Sequence, residues 1–176
     1  MGTVAAGSNP GKTKVLVEGA LCVALSVVFS GLKLFSMPQG GSITLEMAPL
    51  LYYSYKYGFR WGATAGTLSG ILQMIGGYMV HPLQAVLDYP AAFACMGIAG
   101  LFRQDAKGVI LGTILAAAGR LACHVLSGVI FFSSYAPKGQ NVWIYSTVYN
   151  AAFMVPTIIV TSVVAWLLWK KFLKSL

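Results

Sequence analysis

Charged residues are scarce in this sequence. Of 176 residues, 9% are charged and 57% are hydrophobic, whereas a soluble domain carries about 25% charged residues. A chain with so few polar groups cannot cover its own surface with them, which excludes an ordinary soluble domain. Three apolar runs, Val15–Leu32, Ile110–Phe132 and Ala151–Trp169, each reach the roughly 18–20 residues that span a bilayer. The composition therefore predicts an integral membrane protein.

Cysteines are also few, and none of them suggests a disulfide or a metal site. Cys22, Cys95 and Cys123 all lie within apolar segments, and their spacing matches no metal-binding motif.

The N-terminal residues lack the order of a cleaved signal peptide, and the first hydrophobic run is too long for one. We therefore expect a disordered tail over residues 1–12, followed by one membrane domain over residues 13–176.

Basic residues outnumber acidic residues by twelve to four, which gives a net charge of +8. Nine of the twelve lie near the termini or in two short turns, at Lys12, Lys14, Lys56, Arg60, Arg103, Lys107, Lys170, Lys171 and Lys174. This distribution is the positive-inside asymmetry of a multi-pass membrane protein, not the footprint of a nucleic-acid partner. It predicts that the N-terminus and the C-terminus are both cytoplasmic.

Clusters of proline and glycine divide the chain into six predicted transmembrane helices, which would form an all-α bundle. We expect these helices at about 15–35, 45–57, 61–76, 82–101, 109–132 and 142–174. The outer loops are then residues 36–44, 76–81 and 133–141. Two pairs of small residues at helical spacing, Gly66 with Gly70 and Ala20 with Ala24, predict close contacts between helices.

Polar residues inside a bilayer are costly and usually functional, and here they converge on the predicted outer surface. Glu46, Asp88, His124, Tyr145 and Asn150 all fall within about two turns of that surface. The aromatic residues at the same level are Tyr78, Tyr89, Phe131, Phe132, Tyr135 and Trp143. Aromatic faces beside one or two carboxylates suit a flat organic cation. We therefore expect a binding pocket that opens outward.

Several of these residues also have a structural explanation. Asp88 could form an ion pair with Arg120 or His124, the loop aromatics could form an interfacial belt, and a carboxylate such as Glu46 is favoured at a helix start. An intramembrane enzyme would use Asp88 and His124 as an acid–base pair, but no activated nucleophile stands at their level. A channel would need a polar stripe across the membrane, which the sequence lacks.

Three segments resemble one known family of membrane proteins. SMPQGGSITLEMAPL (Ser36–Leu50), HPLQAVLDYPAAFACMGIAGLF (His81–Phe102) and HVLSGVIFFSSYAPKGQNVWIYSTVYNAAFMVP (His124–Pro156) are similar to the thiamine-specific substrate-binding subunits of energy-coupling factor transporters. The resemblance implies a six-helix protein of the bacterial plasma membrane, with no enzymatic activity and no cofactor of its own. It also implies that the protein captures thiamine from outside and associates with a transmembrane coupling subunit and two cytoplasmic ATPase subunits, which hydrolyse ATP.

The resemblance further implies a set of binding residues. The family pocket falls on Asp88, Tyr89, His124, Gly128, Phe132, Tyr145, Asn150 and Tyr78. Some members carry Glu where this chain has Asp88 and Trp where it has Phe132, so a water or a small helix shift must compensate for the shorter Asp. Glu46 and Trp143 join the predicted site by their position, and Gln39 is a further candidate in the unaligned first outer loop. Ala20 and Ala24 match the small residues through which the family docks its coupling subunit.

The chemistry of thiamine suits these residues. Its aminopyrimidine pairs bidentately with a carboxylate, which we assign to Asp88. Its thiazolium cation suits aromatic faces and a second acid such as Glu46, and its hydroxyethyl tail needs a neutral partner such as Tyr145, Asn150 or His124. A phosphorylated form would need more basic residues than Arg120. The remaining alternative within this class is a subunit for the pyrimidine precursor of thiamine or for riboflavin.

Overall fold

The computed structural model describes residues 11–38 and 40–173. The predicted disordered tail lies almost wholly outside these residues, as do Gln39 and Lys174. The described residues contain six main helices, which confirms the predicted all-α membrane bundle. Their bounds are α1 Lys12–Gly31, α2 Met47–Tyr57, α3 Phe59–Met74, α4 Pro82–Leu101, α5 Ala106–Phe131 and α6 Val142–Leu168, and a π-helical turn, Trp169–Leu173, continues α6.

The first connection differs from the predicted irregular loop. Helix α1 ends at Gly31, four residues before the predicted Phe35, and the chain then forms a short antiparallel ribbon. Its strands are β1, Phe35–Ser36, and β2, Ser42–Ile43. Gly40 and Gly41 make the turn with φ angles of 90° and 87°, a conformation that glycine adopts without steric cost.

Four helices, α1, α4, α5 and α6, are long and apolar enough to cross a bilayer. Helix α2 has 11 residues and is therefore about 17 Å long, against about 30 Å for the hydrocarbon core. It can be short because it lies in the centre of the bundle, where Met47, Leu50, Leu51 and Tyr53 are almost completely buried. Protein, not lipid, surrounds most of its length.

Two glycines bring α3 against α4. A Cβ on Gly66 would collide with the backbone of Phe93, and a Cβ on Gly70 would lie 2.6 Å from the carbonyl carbon of Tyr89. The predicted close helix contact at this pair is therefore confirmed.

The other small pair, Ala20 and Ala24, lies on the exposed face of α1. The residues of α1 that pack into the bundle are Val15, Gly19, Cys22, Val23 and Ser26. Internal packing within the described bundle therefore does not explain the two alanines, and their face is open to lipid or to a partner.

Helix α4 is irregular where the sequence predicted a plain helix. It starts with a short α-helical segment, Pro82–Val86, and widens into a π-helical turn, Leu87–Ala91. It ends as a 3₁₀ helix, Cys95–Leu101. Pro90 lies inside the π turn and has no N–H to donate to a regular helical ladder. Because π turns often occur at functional sites, this turn makes Asp88 and Tyr89 candidates for such a site.

Candidate ligand-binding site

A cavity of about 440 Å³ lies at one end of the bundle. It is enclosed by the C-terminal ends of α1, α3 and α5, the N-terminal ends of α4 and α6, and the ribbon that precedes α2. Since consecutive helices alternate in direction, all of these ends lie on the same side. We call this side the cavity end; it corresponds to the predicted outer surface. The volume is within the range of about 300–1,000 Å³ that is usual for small-molecule sites.

Asp88 accepts hydrogen bonds from three side chains at the cavity. Its Oδ1 lies 2.9 Å from Nδ1 of His124, and its Oδ2 accepts from Nε2 of Gln84 at 2.7 Å and from Oγ of Ser127 at 2.8 Å. The π turn presents Asp88 and its neighbour Tyr89 to the cavity together. These bonds orient the carboxylate rigidly in a largely buried position.

Arg120 joins the second cavity carboxylate to His124. Its Nη2 donates to Oε1 of Glu46 at 2.5 Å, and its Nε donates to Nε2 of His124 at 3.2 Å. The guanidinium also lies over the ring of Phe93, at 4.1 Å from the centroid. Of the two partners that the sequence offers for Asp88, His124 contacts it, whereas Arg120 pairs with Glu46 instead. The carboxylate of Glu46 is thus neutralised, and it makes no helix-capping hydrogen bond.

Aromatic rings form much of the cavity wall. The rings of Tyr78 and Phe132 stack with their centroids 6.1 Å apart, and Phe132 contacts Tyr135 at the same distance. The hydroxyl of Tyr89 donates to the carbonyl of Tyr78 at 3.3 Å. A hydrogen bond with the side chain of Tyr135 raises the pKa of Tyr78 above its ordinary value. These contacts link the loop before α4 to the end of α5.

The wall formed by α5 and α6 depends on a glycine. A Cβ on Gly128 would collide with Oγ of Ser146. Close approach of the two helices lets Nδ2 of Asn150 donate to the carbonyl of His124 at 3.3 Å and to the carbonyl of Ser146 at 2.9 Å. The hydroxyl of Tyr149 donates to the carbonyl of Gly40 at 3.0 Å and so fastens the ribbon over α6.

The structure brings together nine of the ten residues predicted for substrate binding. The residues that line the cavity are Asp88, Tyr89, His124, Gly128, Phe132, Tyr145, Asn150, Tyr78 and Glu46. Trp143 does not join them. It lies at the start of α6 and is 56% exposed, so its placement in the site is corrected. That the nine contact a ligand remains a prediction.

Several lining residues were not among those predicted for binding. They are Gln84, Phe93, Arg120, Ser127, Ser146, Tyr149 and Phe153. Helical spacing carried a signal for some of them, because Gln84 lies four residues before Asp88 and Ser127 three residues after His124, on the same helix faces. No such spacing relates Phe153 to Gly41, whose turn packs against the Phe153 ring.

Comparisons with known proteins agree with this architecture. A solved S component of a bacterial ECF transporter matches with a TM-score of 0.64 over 93% of this chain and 98% of that chain, at 18% identity. A solved structure of ThiT from Listeria monocytogenes matches with a TM-score of 0.82 and 28% identity, over 93% of this chain and 97% of that chain. The bundle therefore has the fold of an ECF transporter S component.

Sequence relatives define the family more narrowly. The thiamine transporter ThiT of Bacillus subtilis is 41% identical over 88% of this chain and 89% of its own length. ThiT of Lacticaseibacillus paracasei is 28% identical over 88% of this chain and 86% of its own length. The model of the thiamine transporter protein family matches residues 16–176. The chain belongs to this family.

Proposed function

We propose that this protein is the thiamine-binding subunit of an ECF importer in the bacterial plasma membrane. The observation that carries the proposal is the rigidly held carboxylate of Asp88 in a cavity walled by aromatic rings. The relatives named thiamine transporters support the identity of the ligand. The ECF S-component fold supports the mode of transport.

The distribution of acidic side chains favours a ligand with one positive charge. Of the four acids in the sequence, Glu18 pairs with Lys56 at 2.7 Å and Asp105 caps the start of α5. Glu46 is neutralised by Arg120. Asp88 is left as the carboxylate that balances a cation, and thiamine carries a permanent positive charge on its thiazolium.

The contacts of Glu46 revise part of the expected ligand pose. We expected Glu46 to act as a second acid beside the thiazolium, but its carboxylate is already bound by Arg120. In the revised proposal, the aminopyrimidine donates to Asp88 and the thiazolium lies against the aromatic wall.

The exposed face of α1 supports the proposed association with a coupling subunit. Ala20 and Ala24 lie one turn apart on this face, and small residues at that spacing let a partner helix approach closely. In this proposal the coupling subunit docks here and two ATPase subunits hydrolyse ATP. The chain itself is not an enzyme and needs no cofactor, because Asp88 and His124 bind ligand instead of transferring protons in a reaction.

Competition for the cavity tests the choice of ligand. Labelled thiamine is bound to the detergent-purified protein and challenged with unlabelled thiamine, its pyrimidine precursor or riboflavin. The proposal expects thiamine to displace the label far more effectively than either neutral compound, since only thiamine brings a positive charge to Asp88. Displacement by riboflavin at equal or lower concentration would reassign the protein to that vitamin.

A further inference from the structure

We infer that Arg120 is a positioning residue that keeps His124 neutral, with its proton on Nδ1. The inference deepens the proposed function and rests on it for its consequence in thiamine binding. Nothing in the sequence resemblance assigned a role to Arg120. The geometry of two consecutive hydrogen bonds assigns one.

The direction of the first hydrogen bond follows from the chemistry of arginine. Nε of Arg120 lies 3.2 Å from Nε2 of His124, and a guanidinium nitrogen donates but never accepts. Nε2 of His124 must therefore offer its lone pair, so it carries no proton. The proton of the ring then lies on Nδ1 and is donated to Oδ1 of Asp88, 2.9 Å away.

Arg120 is held firmly enough to impose this state. Glu46 accepts from its Nη2, the Phe93 ring lies beneath its guanidinium, and its side chain is 8% exposed. The histidine is also restrained, because its ring packs edge-to-face with the ring of Phe153, with the centroids 5.9 Å apart. Neither partner can rotate away without breaking these contacts.

The groups around His124 set the charge of the cavity. The titratable or charged residues of the neighbouring elements are Glu46 before α2, Asp88, Tyr89 and Cys95 on α4, Arg120 and Cys123 on α5, Tyr145 and Tyr149 on α6, and Lys33, Tyr78 and Tyr135 in the loops at the cavity end. The closest charges are Glu46, Arg120 and Asp88, which together carry one negative charge when His124 is neutral. Protonation of His124 would cancel that charge and occupy Asp88 with an imidazolium, to the disadvantage of a cationic ligand.

Nitrogen NMR on histidine-labelled protein tests the inference directly, because the sequence contains two histidines. His81 serves as an internal reference, because its neutral ring should be the opposite tautomer. Its Nδ1 accepts from the backbone N–H of Leu83 at 3.2 Å, so neutral His81 carries its proton on Nε2. We expect His124 of the ligand-free protein to give the signals of the neutral Nδ1–H tautomer. His81→Gln assigns the two sets of signals.

Two matched variants separate the role of Arg120 from that of its ion pair. Arg120→Met alone would leave Glu46 buried without its partner, which is strongly destabilising. Glu46→Gln retains Arg120 and keeps an amide oxygen that can accept from its Nη2, so it should leave the His124 signals as in the wild type. Glu46→Gln with Arg120→Met removes the donor to Nε2, so Nε2 of His124 becomes free to take up a proton and its nitrogen signal should move towards that of a protonated nitrogen.

Thiamine affinity provides a second readout. As the pH falls, the dissociation constant of the double variant should rise more steeply than that of Glu46→Gln, because only the neutral fraction binds. Comparison of the two variants cancels any titration of thiamine itself. Adding His124→Gln to the double variant should weaken binding but abolish its excess pH dependence.

The outcomes are distinguishable. An imidazolium or an Nε2–H tautomer at His124 in the wild type overturns the inference, as does a double variant whose His124 signals and pH profile match those of Glu46→Gln. If the nitrogen signals are as expected but the wild type binds no thiamine at any pH, the proposed function fails while the assignment of Arg120 as the positioning residue of His124 stands.

Discussion

The carboxylate of Asp88 is fixed by side chains from two helices before any ligand arrives. Gln84 lies one turn earlier on α4, and Ser127 and His124 come from α5. A carboxylate oriented in this way loses little freedom when it binds a ligand, which favours affinity. Asp is also one methylene shorter than the Glu of some family members, and the π turn Leu87–Ala91 is a feature of the backbone that can compensate.

Replacement of this carboxylate gives the prediction at the residue scale. Asp88→Asn should weaken thiamine binding by about 2–5 kcal/mol, the cost of removing one partner from a buried charge-assisted pair. Isothermal titration of thiamine into each variant measures the effect. Glu18→Gln is the matched control, because Glu18 pairs with Lys56 outside the cavity lining, and it should bind as the wild type does. Equal affinities of Asp88→Asn and the wild type would remove Asp88 from the site.

Residue types and helical spacing predicted most of the cavity wall, but not which charges would pair. Glu46, Asp88 and His124 were predicted as costly polar groups near one surface, and Arg120 only as an alternative partner of Asp88. Their pairing depends on how α2, α4 and α5 are rotated against each other, which the sequence pattern does not fix. Trp143 was misplaced for the same reason. Tyr145, two residues further along α6, lines the cavity, whereas Trp143 lies on the exposed side of the helix.

At the scale of elements, hydrophobic runs and glycine or proline breaks located all six helices to within a few residues. The ribbon β1–β2 and the π turn of α4 were not predicted. Each ribbon strand has two residues, too few for an alternating pattern. The π turn lies where α4 packs on Gly70 of α3. The small residues of α3 predicted this contact but not the local widening of α4, for which Pro90 is the local sequence signal.

The exposed face of α1 gives the prediction at the element scale. Ala20→Trp with Ala24→Trp should abolish thiamine uptake in cells and co-purification with the coupling subunit, because bulky residues prevent close approach of a partner helix. Thiamine binding by the isolated protein should survive, since neither alanine lines the cavity.

The control places the same bulk on another lipid-facing surface. Leu111 and Leu115 lie one turn apart on α5 and are 50% and 42% exposed. Leu111→Trp with Leu115→Trp should preserve both uptake and co-purification. If this control loses uptake equally, or if the alanine variant still co-purifies with the coupling subunit, the docking surface does not lie on α1.

The whole molecule is a bundle with its polar cavity at one end and most of its basic residues at the other. The described basic residues remote from the cavity include Lys56, Arg60, Arg103 and Lys107, which lie at or between the opposite helix ends. This separation could be predicted from charge and hydropathy alone, because positive residues are retained in the cytoplasm. The position of the cavity followed from six helices of alternating direction.

Orientation in the membrane is the prediction at this scale. In a variant whose three native cysteines are replaced, Lys138→Cys should react with a membrane-impermeant thiol reagent added to intact cells. Lys107→Cys should react only after the cells are opened, because it lies at the end opposite to the cavity. Labelling of position 107 but not of position 138 in intact cells would invert the topology and make the cavity face the cytoplasm.

Binding of thiamine by the purified protein tests the central claim most directly. Isothermal titration of thiamine into the wild-type protein in detergent measures affinity and stoichiometry in the absence of the partner subunits. The account predicts saturable binding of one thiamine per chain, with no comparable binding of riboflavin. The account would be contradicted if thiamine gave no saturable heat while the protein remained folded in the same detergent and bound another vitamin with one-to-one stoichiometry.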